Sequence, residues 1–312
     1  MTSEFSCIKE IITKLQVKRE DTLIHAGDDC ALVTISPGMA LAVSTDTMVV
    51  NHHFLPDCDP QDIGYKLVAV NLSDLAAMAA KPAWMTIALT MPEIDMEWVR
   101  KFILGANELQ QQFNLELVGG DLTRGPLTIT CTIHGLVKPE DAITRGGARR
   151  GDLICVTGRL GAAAYALANL DCSVASRQRL LRPTPRVNEA LAIHSMVNSA
   201  IDISDGLLAD LNHIIEASGC GAVLDASTVP LAEELEAIPK LEEALPFALS
   251  GGDDYELCMT LDKKNFSACQ HILMQMNCEL HCIGKITDGD KIEVYLNNQL
   301  INFSKFGYQH FA

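Results

Sequence analysis

The stretch LAVSTDTMVVNHHF, residues 41–54, decides how this chain is read. Leu41, Val43 and Thr45 alternate with Ala42, Ser44 and Asp46, the period-two pattern of a strand running into a turn. Its end carries three consecutive oxygen ligands, Ser44, Thr45 and Asp46, with His52 and His53 close behind. Such an end is either a solvated edge or a site for a hard metal ion. The rest of the chain separates the two readings.

The 312 residues can bury a large core and are enough for two domains. The net charge of −16 disfavours a nucleic-acid or anionic-membrane surface, which needs a basic patch. It allows a small anionic ligand, provided cations stand between ligand and protein. The first twenty residues hold no uninterrupted apolar run of signal-peptide type; Phe5, Ile8, Ile11, Ile12 and Leu15 share one helical face instead. The most apolar region, Leu67 to Met91, contains Asn71, Asp74 and Lys81 and does not read as a membrane span. A soluble cytoplasmic protein is expected. The eleven cysteines are scattered through apolar segments, and their odd number reads as reduced core thiols. Cys269, His271, Cys278, His281 and Cys282 could offer zinc ligands, but their spacing matches no paired C-x₂-C framework. Separate packing of each is the simpler reading.

Working outward from the opening stretch, strands and helices alternate. In the first half, strands are expected near 30–35, 40–46, 84–90, 115–118 and 127–137, and helices near 5–16, 60–80 and 95–113. Asp59-Pro60 supplies an N-cap and a first-turn proline for the second helix. The polar, Gly-rich passage DAITRGGARRGD, residues 141–152, marks a domain junction. Beyond it, strands are expected near 153–157, 200–203, 221–225, 255–260, 280–285 and 291–296. Helices are expected near 160–170, 186–197, 206–217 and 262–276. The class is α/β or α+β.

Five segments place acids where an ordinary core would not. HAGDDCALV sets Asp28 and Asp29 before a strand, and the opening stretch sets Ser44-Thr45-Asp46 on one. NLSDLAAM sets Asn71 and Asp74 on one face of an apolar helix, where a carboxylate must be paired, hydrogen-bonded or metal-bound. LVGGDLTRG carries Asp121 after a glycine pair, and SAIDISDGLLADL carries Asp202, Ser204 and Asp205. Each has a plain reading as well: a turn for GDD, a loop for GGD, an N-cap for Ser204 or Asp205. Together they have little Lys or Arg nearby, and carboxylates brought close repel unless a cation intervenes. Oxygen-only donors suit Mg²⁺, Mn²⁺ or Ca²⁺ rather than zinc or copper. The chain has no G-x-x-x-x-G-K-[ST] loop and no G-x-G-x-x-G opening a helix; VTGRLGAAAYAL is a weak phosphate-loop signal. The physical expectation is a metal-rich phosphoryl-transfer site without a P-loop.

GDDCAL, STDT, NHHF, NLSDLAAM, GGDLTRGP, TRGGARRGD, AIDISDGL, SGGDDYEL and the terminal GYQHF fall in order along nearly the whole chain. On them the sequence resembles the thiamine-monophosphate kinase family, of the superfamily that includes aminoimidazole ribonucleotide synthetase and selenophosphate synthetase. The resemblance implies a two-domain fold of the aminoimidazole ribonucleotide synthetase type. By that resemblance, residues 1–148 are expected to form an N-terminal mixed-sheet domain that binds ATP and Mg²⁺ and dimerises, and residues 149–312 a C-terminal α/β domain that completes the active site. It implies transfer of the ATP γ-phosphoryl group to thiamine monophosphate, with several Mg²⁺ ions and no catalytic side-chain nucleophile. Metal ligands carried over are Asp29, Ser44, Thr45, Asp46, Asp74, Asp121, Asp202 and Asp205. ATP contacts are Gly120, Asp121, Arg145 and Ser204. Substrate contacts are His53, chosen over His52 by alignment on Phe54, with Asp253 and Tyr308. The family usually has Gly-Gly-Glu-Asp where this chain has Gly251-Gly252-Asp253-Asp254, so Asp253 reaches less far. A selenophosphate synthetase would call for a reactive Cys with Lys near the N-terminus, whereas Cys7 falls on the first helix. A superfamily enzyme with a different acceptor, and a cation-binding module without catalysis, are the competing readings.

Overall fold

The computed structural model describes residues 4–15, 17–169, 172–303 and 306–308. The expected helix ends at Gln16 and Leu170, and Gln309, His310 and Phe311 of GYQHF, lie outside the described residues. The chain separates into two compact units: Met1–Leu75 with Ala80–Glu140, and Ala76–Ala79 with Asp141–Ala312.

The first unit runs α1 (Glu4–Lys14), β1 (Thr22–Ile24), β2 (Leu32–Val33), β3 (Ala40–Val49), α2 (Pro60–Ala77), β4 (Lys81–Met91), α3 (Met96–Phe113), β5 (Glu116–Arg124) and β6 (Thr128–Val137). Helix α2 starts where Pro60 presets φ and the Asp59 side chain accepts the Gln61 N–H at 2.9 Å. Helix α3 starts where the Asp95 carboxylate accepts the N–H groups of Glu97 and Trp98, and stops at Asn114 in the left-handed conformation. Strands β3, β6, β4 and β5 form a mixed sheet in that order, with only β4 and β5 parallel. One row of paired residues crosses it: Asp46 faces Cys131, Cys131 faces Ile87, and Ile87 faces Gly120. Three inter-strand steps therefore separate Asp46 from Gly120, roughly 14 Å at the usual sheet spacing. Strand β1 goes beyond the expected elements, because three residues carry no readable period. It lies beside a buried anchor: Glu116, 2% exposed, accepts the Arg19 N–H and the Thr22 hydroxyl at 2.8 Å each and meets His25 Nδ1.

The second unit runs β7 (Leu153–Thr157), α4 (Ala162–Ala168), α5 (Val174–Leu181), α6 (Val187–Ile193), β8 (Ser199–Asp202), α7 (Leu207–Ser218), β9 (Gly221–Asp225), α8 (Glu233–Glu236), α9 (Leu241–Ser250), β10 (Leu257–Leu261), α10 (Phe266–Gln275), β11 (Leu280–Thr287), β12 (Ile292–Leu296) and β13 (Gln299–Ile301). Its seven strands pair in the order β13-β12-β9-β11-β7-β10-β8, antiparallel except for β12 with β9. Helices α5, α8 and α9 and strand β13 also exceed the expected set; in α9 an internal Pro246 disguises the helix. Leu207, Leu211, Ile214 and Ile215 of α7 join Leu245 and Leu249 of α9 and Ile154 and Val156 of β7 in one buried core.

That core holds one ionic cluster. Glu256, fully buried, accepts two hydrogen bonds from Arg186 at 2.7 Å each, one from Arg179 at 2.6 Å and one from the Thr157 hydroxyl at 2.7 Å. Burial pushes the Glu256 carboxyl up, but Arg186 and Arg179 more than reverse this, leaving it below the ordinary 4.5. Glu256→Gln should therefore lower unfolding stability by about 3 kcal/mol, the low end for breaking a buried pair. The wild-type contribution is full above 4.5 and is lost as pH falls through the lower folded value. Denaturant titrations at neutral and acid pH check both: the difference between the two proteins should shrink in acid, and a neutral-pH difference near zero refutes it.

Candidate active site

In the first unit β3 meets the acidic helix at mid-strand: the expected strand end on Ser44-Thr45-Asp46 is not where the strand stops, because β6 pairs with it on to Val49 and the triplet sits inside the ladder. Ser44 Oγ on β3 donates to Asp74 Oδ2 on α2 at 2.6 Å, so the carboxylate on the apolar helix has a hydroxyl partner. Asn71, fully buried one turn earlier, donates Nδ2–H to the Leu67 carbonyl at 2.8 Å. Its Oδ1 and the Ser73 hydroxyl find no partner among the described residues. Strand alternation divides the oxygen triplet. Ser44 and Asp46 share the α2 side, whereas Thr45 bonds Thr132 and Thr47 bonds Thr130 across the opposite face, both at 2.9 Å. His53 turns back on the end of β3, where its Nδ1 accepts the Val49 N–H at 3.0 Å. In the neutral ring the proton is therefore on Nε2. His52 stays exposed.

Asp29, Gly120 and Asp121 come together along a cavity of about 610 Å³, with Asp28 beside them and Ile8, Trp84, Phe102 and Leu117 among its walls. Asp29 donates its N–H to the Asp28 carboxylate at 2.8 Å, and Thr123 donates its hydroxyl to Asp121 at 2.6 Å. Glycine is required at 120: an added Cβ would stand 2.0 Å from the Ile87 carbonyl oxygen. Ser44, Asp46 and Asp74 do not line this cavity. Asp46 and Asp121 lie on the two edge strands, too far apart for one ion to bind both within a chain.

In the second unit strand register does the assembly. β8 and β10 are antiparallel neighbours with Asp202 opposite Leu257, so the chain leaving β8 (Ile203-Ser204-Asp205) lies beside the chain entering β10 (Asp253 to Glu256). The pairing continues beyond the strands: the Ile203 N–H reaches the Glu256 carbonyl at 2.8 Å, the Tyr255 N–H the Ile203 carbonyl at 2.8 Å, and the Asp253 N–H the Ser204 carbonyl at 2.9 Å. Asp253 and Tyr255 both hold positive φ, 66° and 50°, and the Tyr255 hydroxyl donates to Asp253 Oδ1 at 3.0 Å. Strained non-glycine residues of this kind cluster at functional loops. Tyr308 joins the group through its N–H, 2.9 Å from the Asp205 carbonyl. Ser204, Asp205, Asp253 and Tyr308 thus converge, and Asp202 is buried at the end of β8. Arg145 does not join them. Its carbonyl accepts the Ser218 hydroxyl at the C-terminal end of α7, about 18 Å of helix from the Asp205 end.

Sequence reading missed three acids here. Asp210 Oδ2 accepts the N–H groups of Ser204, Asp205 and Gly206 at 3.0, 3.1 and 3.1 Å. Burial and the nearby Asp205 charge push its carboxyl up to about 7, against those three donors. Asp254 accepts the Gly161 N–H at 2.8 Å, and burial raises it well above the ordinary range. Glu256 anchors the arginine cluster. A signal existed for Asp210, an acid in the first turn of a predicted amphipathic helix, but it reads as ordinary helix charge. The Cys/His group of residues 269–282 does not assemble: Cys269 and Cys278 are buried, His271 meets Gln275 and His281 meets Glu279. Among the described residues no three His, Cys, Asp or Glu gather into a set that could hold a metal by themselves. No helix among them is long and apolar enough to cross a membrane.

Two domain families match in sequence order: AIR synthase related protein, N-terminal domain, over residues 27–137, and AIR synthase related protein, C-terminal domain, over residues 149–297. Thiamine-monophosphate kinase of Escherichia coli K12 is 44% identical over 99% of this chain and 98% of its own. The crystal structure of thiamine-monophosphate kinase from Stenotrophomonas maltophilia K279a superposes with a TM-score of 0.87 at 39% identity, covering 96% of this chain and 98% of the other. AaThiL complexed with AMPPCP and TMP superposes with a TM-score of 0.76 at 28% identity, over 98% and 97% of the two chains. The fold is thus the two-domain one of the AIR synthase related proteins. Within it, this chain belongs to the thiamine-monophosphate kinase family.

Proposed function

We propose that this protein transfers the γ-phosphoryl group of ATP directly to the phosphate of thiamine monophosphate, giving thiamine diphosphate. The observation that carries the reading is the full-length 44% identity to a thiamine-monophosphate kinase, in a chain whose STDT, NLSDLAAM and DISDG motifs stand in order. The AaThiL complex with AMPPCP and TMP supports the same pair of ligands here, an ATP-like nucleotide and thiamine monophosphate.

We assign Asp29, Ser44, Thr45, Asp46, Asp74 and Asp121 in the first unit, and Asp202 and Asp205 in the second, to Mg²⁺ binding; Thr45 is the least supported of them, because its hydroxyl bonds Thr132 on the face opposite Ser44 and Asp46. The donor chemistry fits: carboxylates and hydroxyls suit a hard cation, and Mg²⁺ takes only one or two carboxylates beside water and phosphate oxygens. That agrees with acids dispersed in ones and twos rather than gathered in a cage. When bound, Mg²⁺ neutralises charge on the phosphate oxygens. Gly120, Asp121, Arg145 and Ser204 are assigned to ATP. Of these, Arg145 is the least supported, because its backbone is tied to the far end of α7. His53 is assigned to the acceptor phosphate, toward which an Nε2–H can donate; Asp253 and Tyr308 are assigned to the thiamine ring system. An acceptor phosphate oxygen is already ionised, so no side chain need serve as nucleophile, and catalysis rests on in-line positioning. We also infer a cytoplasmic homodimer that pairs through the N-terminal sheet. On its outer face Val43 is 57% and Leu41 38% exposed beside paired threonines, an apolar surface suited to burial.

Four outcomes are expected. With γ-labelled ATP, label should appear in thiamine diphosphate and never on protein, with inversion at phosphorus; a labelled enzyme intermediate would refute direct transfer. Excess chelator should abolish turnover, and Asp46→Asn or Asp74→Asn should each lower kcat by roughly 10²-fold or more, the scale of lost transition-state charge stabilisation, while the melting temperature holds. Full activity in either variant refutes its metal role. Tyr308→Ala should raise KM for thiamine monophosphate by about 5–30-fold with KM for ATP nearly unchanged, as loss of a cation–π contact to the thiazolium predicts. Light scattering should give twice the chain mass; a fully active monomer refutes the dimer.

A further inference from the structure

Resting on that reading, we propose that Asp210 is a positioning residue for the transfer: it holds the Ser204–Gly206 loop in the shape that presents Ser204 and Asp205. A single oxygen, Asp210 Oδ2, receives three successive amide N–H groups, and the residue is only 3% exposed. Three consecutive amides aimed at one point form a concave nest of the kind that elsewhere cradles an anion. Here the chain fills the nest with its own carboxylate, so these amides are committed to shaping the loop rather than to a ligand. Gly206, with φ 126° and ψ 145°, takes a conformation open to glycine, and an added Cβ would stand 2.8 Å from the Gly251 carbonyl oxygen.

The other side of the same loop is equally committed. The carbonyls of Ile203, Ser204 and Asp205 accept the N–H groups of Tyr255, Asp253 and Tyr308. Asp253 and Tyr308 are assigned to the acceptor, and Ser204 and Asp205 to ATP and metal. Asp210 thus holds from behind the one loop on which both groups hang. A cap that served only helix α7 would need the Gly206 N–H and not the two before it.

The experiment compares Asp210→Ala, which removes the acceptor, with Asp210→Asn, which keeps an oxygen. Amide exchange by mass spectrometry is read over residues 203–211, alongside Mg²⁺ titrations and KM for thiamine monophosphate. In the Ala variant the loop amides should exchange faster while the sheet stays protected. Half-saturating Mg²⁺ and KM for thiamine monophosphate should rise together, roughly 10–100-fold, the scale of an ångström's misplacement. The Asn variant should stay within about threefold of wild type, since one acceptor remains. Unchanged kinetics in the Ala variant, an Asn variant as impaired as Ala, or loss of cooperative unfolding in the Ala variant would each overturn the role; the last would mean the residue supports the fold, not the loop. A wild type that turns over no thiamine monophosphate refutes the functional reading and this role together. A working wild type with an unaffected Ala variant refutes this role alone.

Discussion

The antiparallel pairing of β8 with β10, in the register that puts Asp202 opposite Leu257, is the constraint on which the second unit's chemistry depends. The two strands are separated by more than fifty residues of sequence, yet their pairing makes the exit of one the neighbour of the entry to the other. DISDG and GGDDYE then zip together by main-chain hydrogen bonds. Backbone bonds of this kind are indifferent to side-chain identity, so this pairing does not dictate which side chains stand at 204, 205, 253 and 255. The positive φ values at Asp253 and Tyr255 follow from the same zippering and hold the loop in a conformation that few sequences would choose unaided.

A chain of net charge −16 has to dispose of its carboxylates, and this one does so in three physically distinct ways. Glu256 is neutralised by two arginines inside the core. Asp210 accepts three amide N–H groups, and Asp74 accepts a serine hydroxyl. Asp28, Asp29 and Asp121 stay exposed along the cavity of the first unit, with no Lys or Arg among its lining residues. Exposed carboxylates gathered at a cavity make a negative field of the kind that favours cations.

The two units use the same device on different scaffolds. In the first, the middle of a strand meets an apolar helix through Ser44 and Asp74; in the second, a strand exit meets a helix start through the Ser204–Gly206 loop and Asp210. In both, a rigid element rather than a long loop positions the oxygen donors. Such placement suits a reaction that asks for accurate alignment of phosphates more than for a nucleophile.

Much of this was written in the sequence. Asp59-Pro60 announced the start of α2, alternation announced β3, and the order of the acidic motifs carried the family. These signals are local: a cap, a period and a motif each act within a few residues of chain. The sequence could also say that Asp74, alone on an apolar helix, must have a partner, because a bare carboxylate there is too costly. It could not say that the partner is Ser44, that Thr45 faces the other way with Thr132, that Arg145 sits a helix-length from Ser204, or that Asp210 rather than a ligand fills the nest of amides. Those facts depend on strand order, register and helix phase, which join residues tens of positions apart. A period-two pattern gives which face a residue takes but not which strand lies beside it, so only the folded chain decides which donors meet.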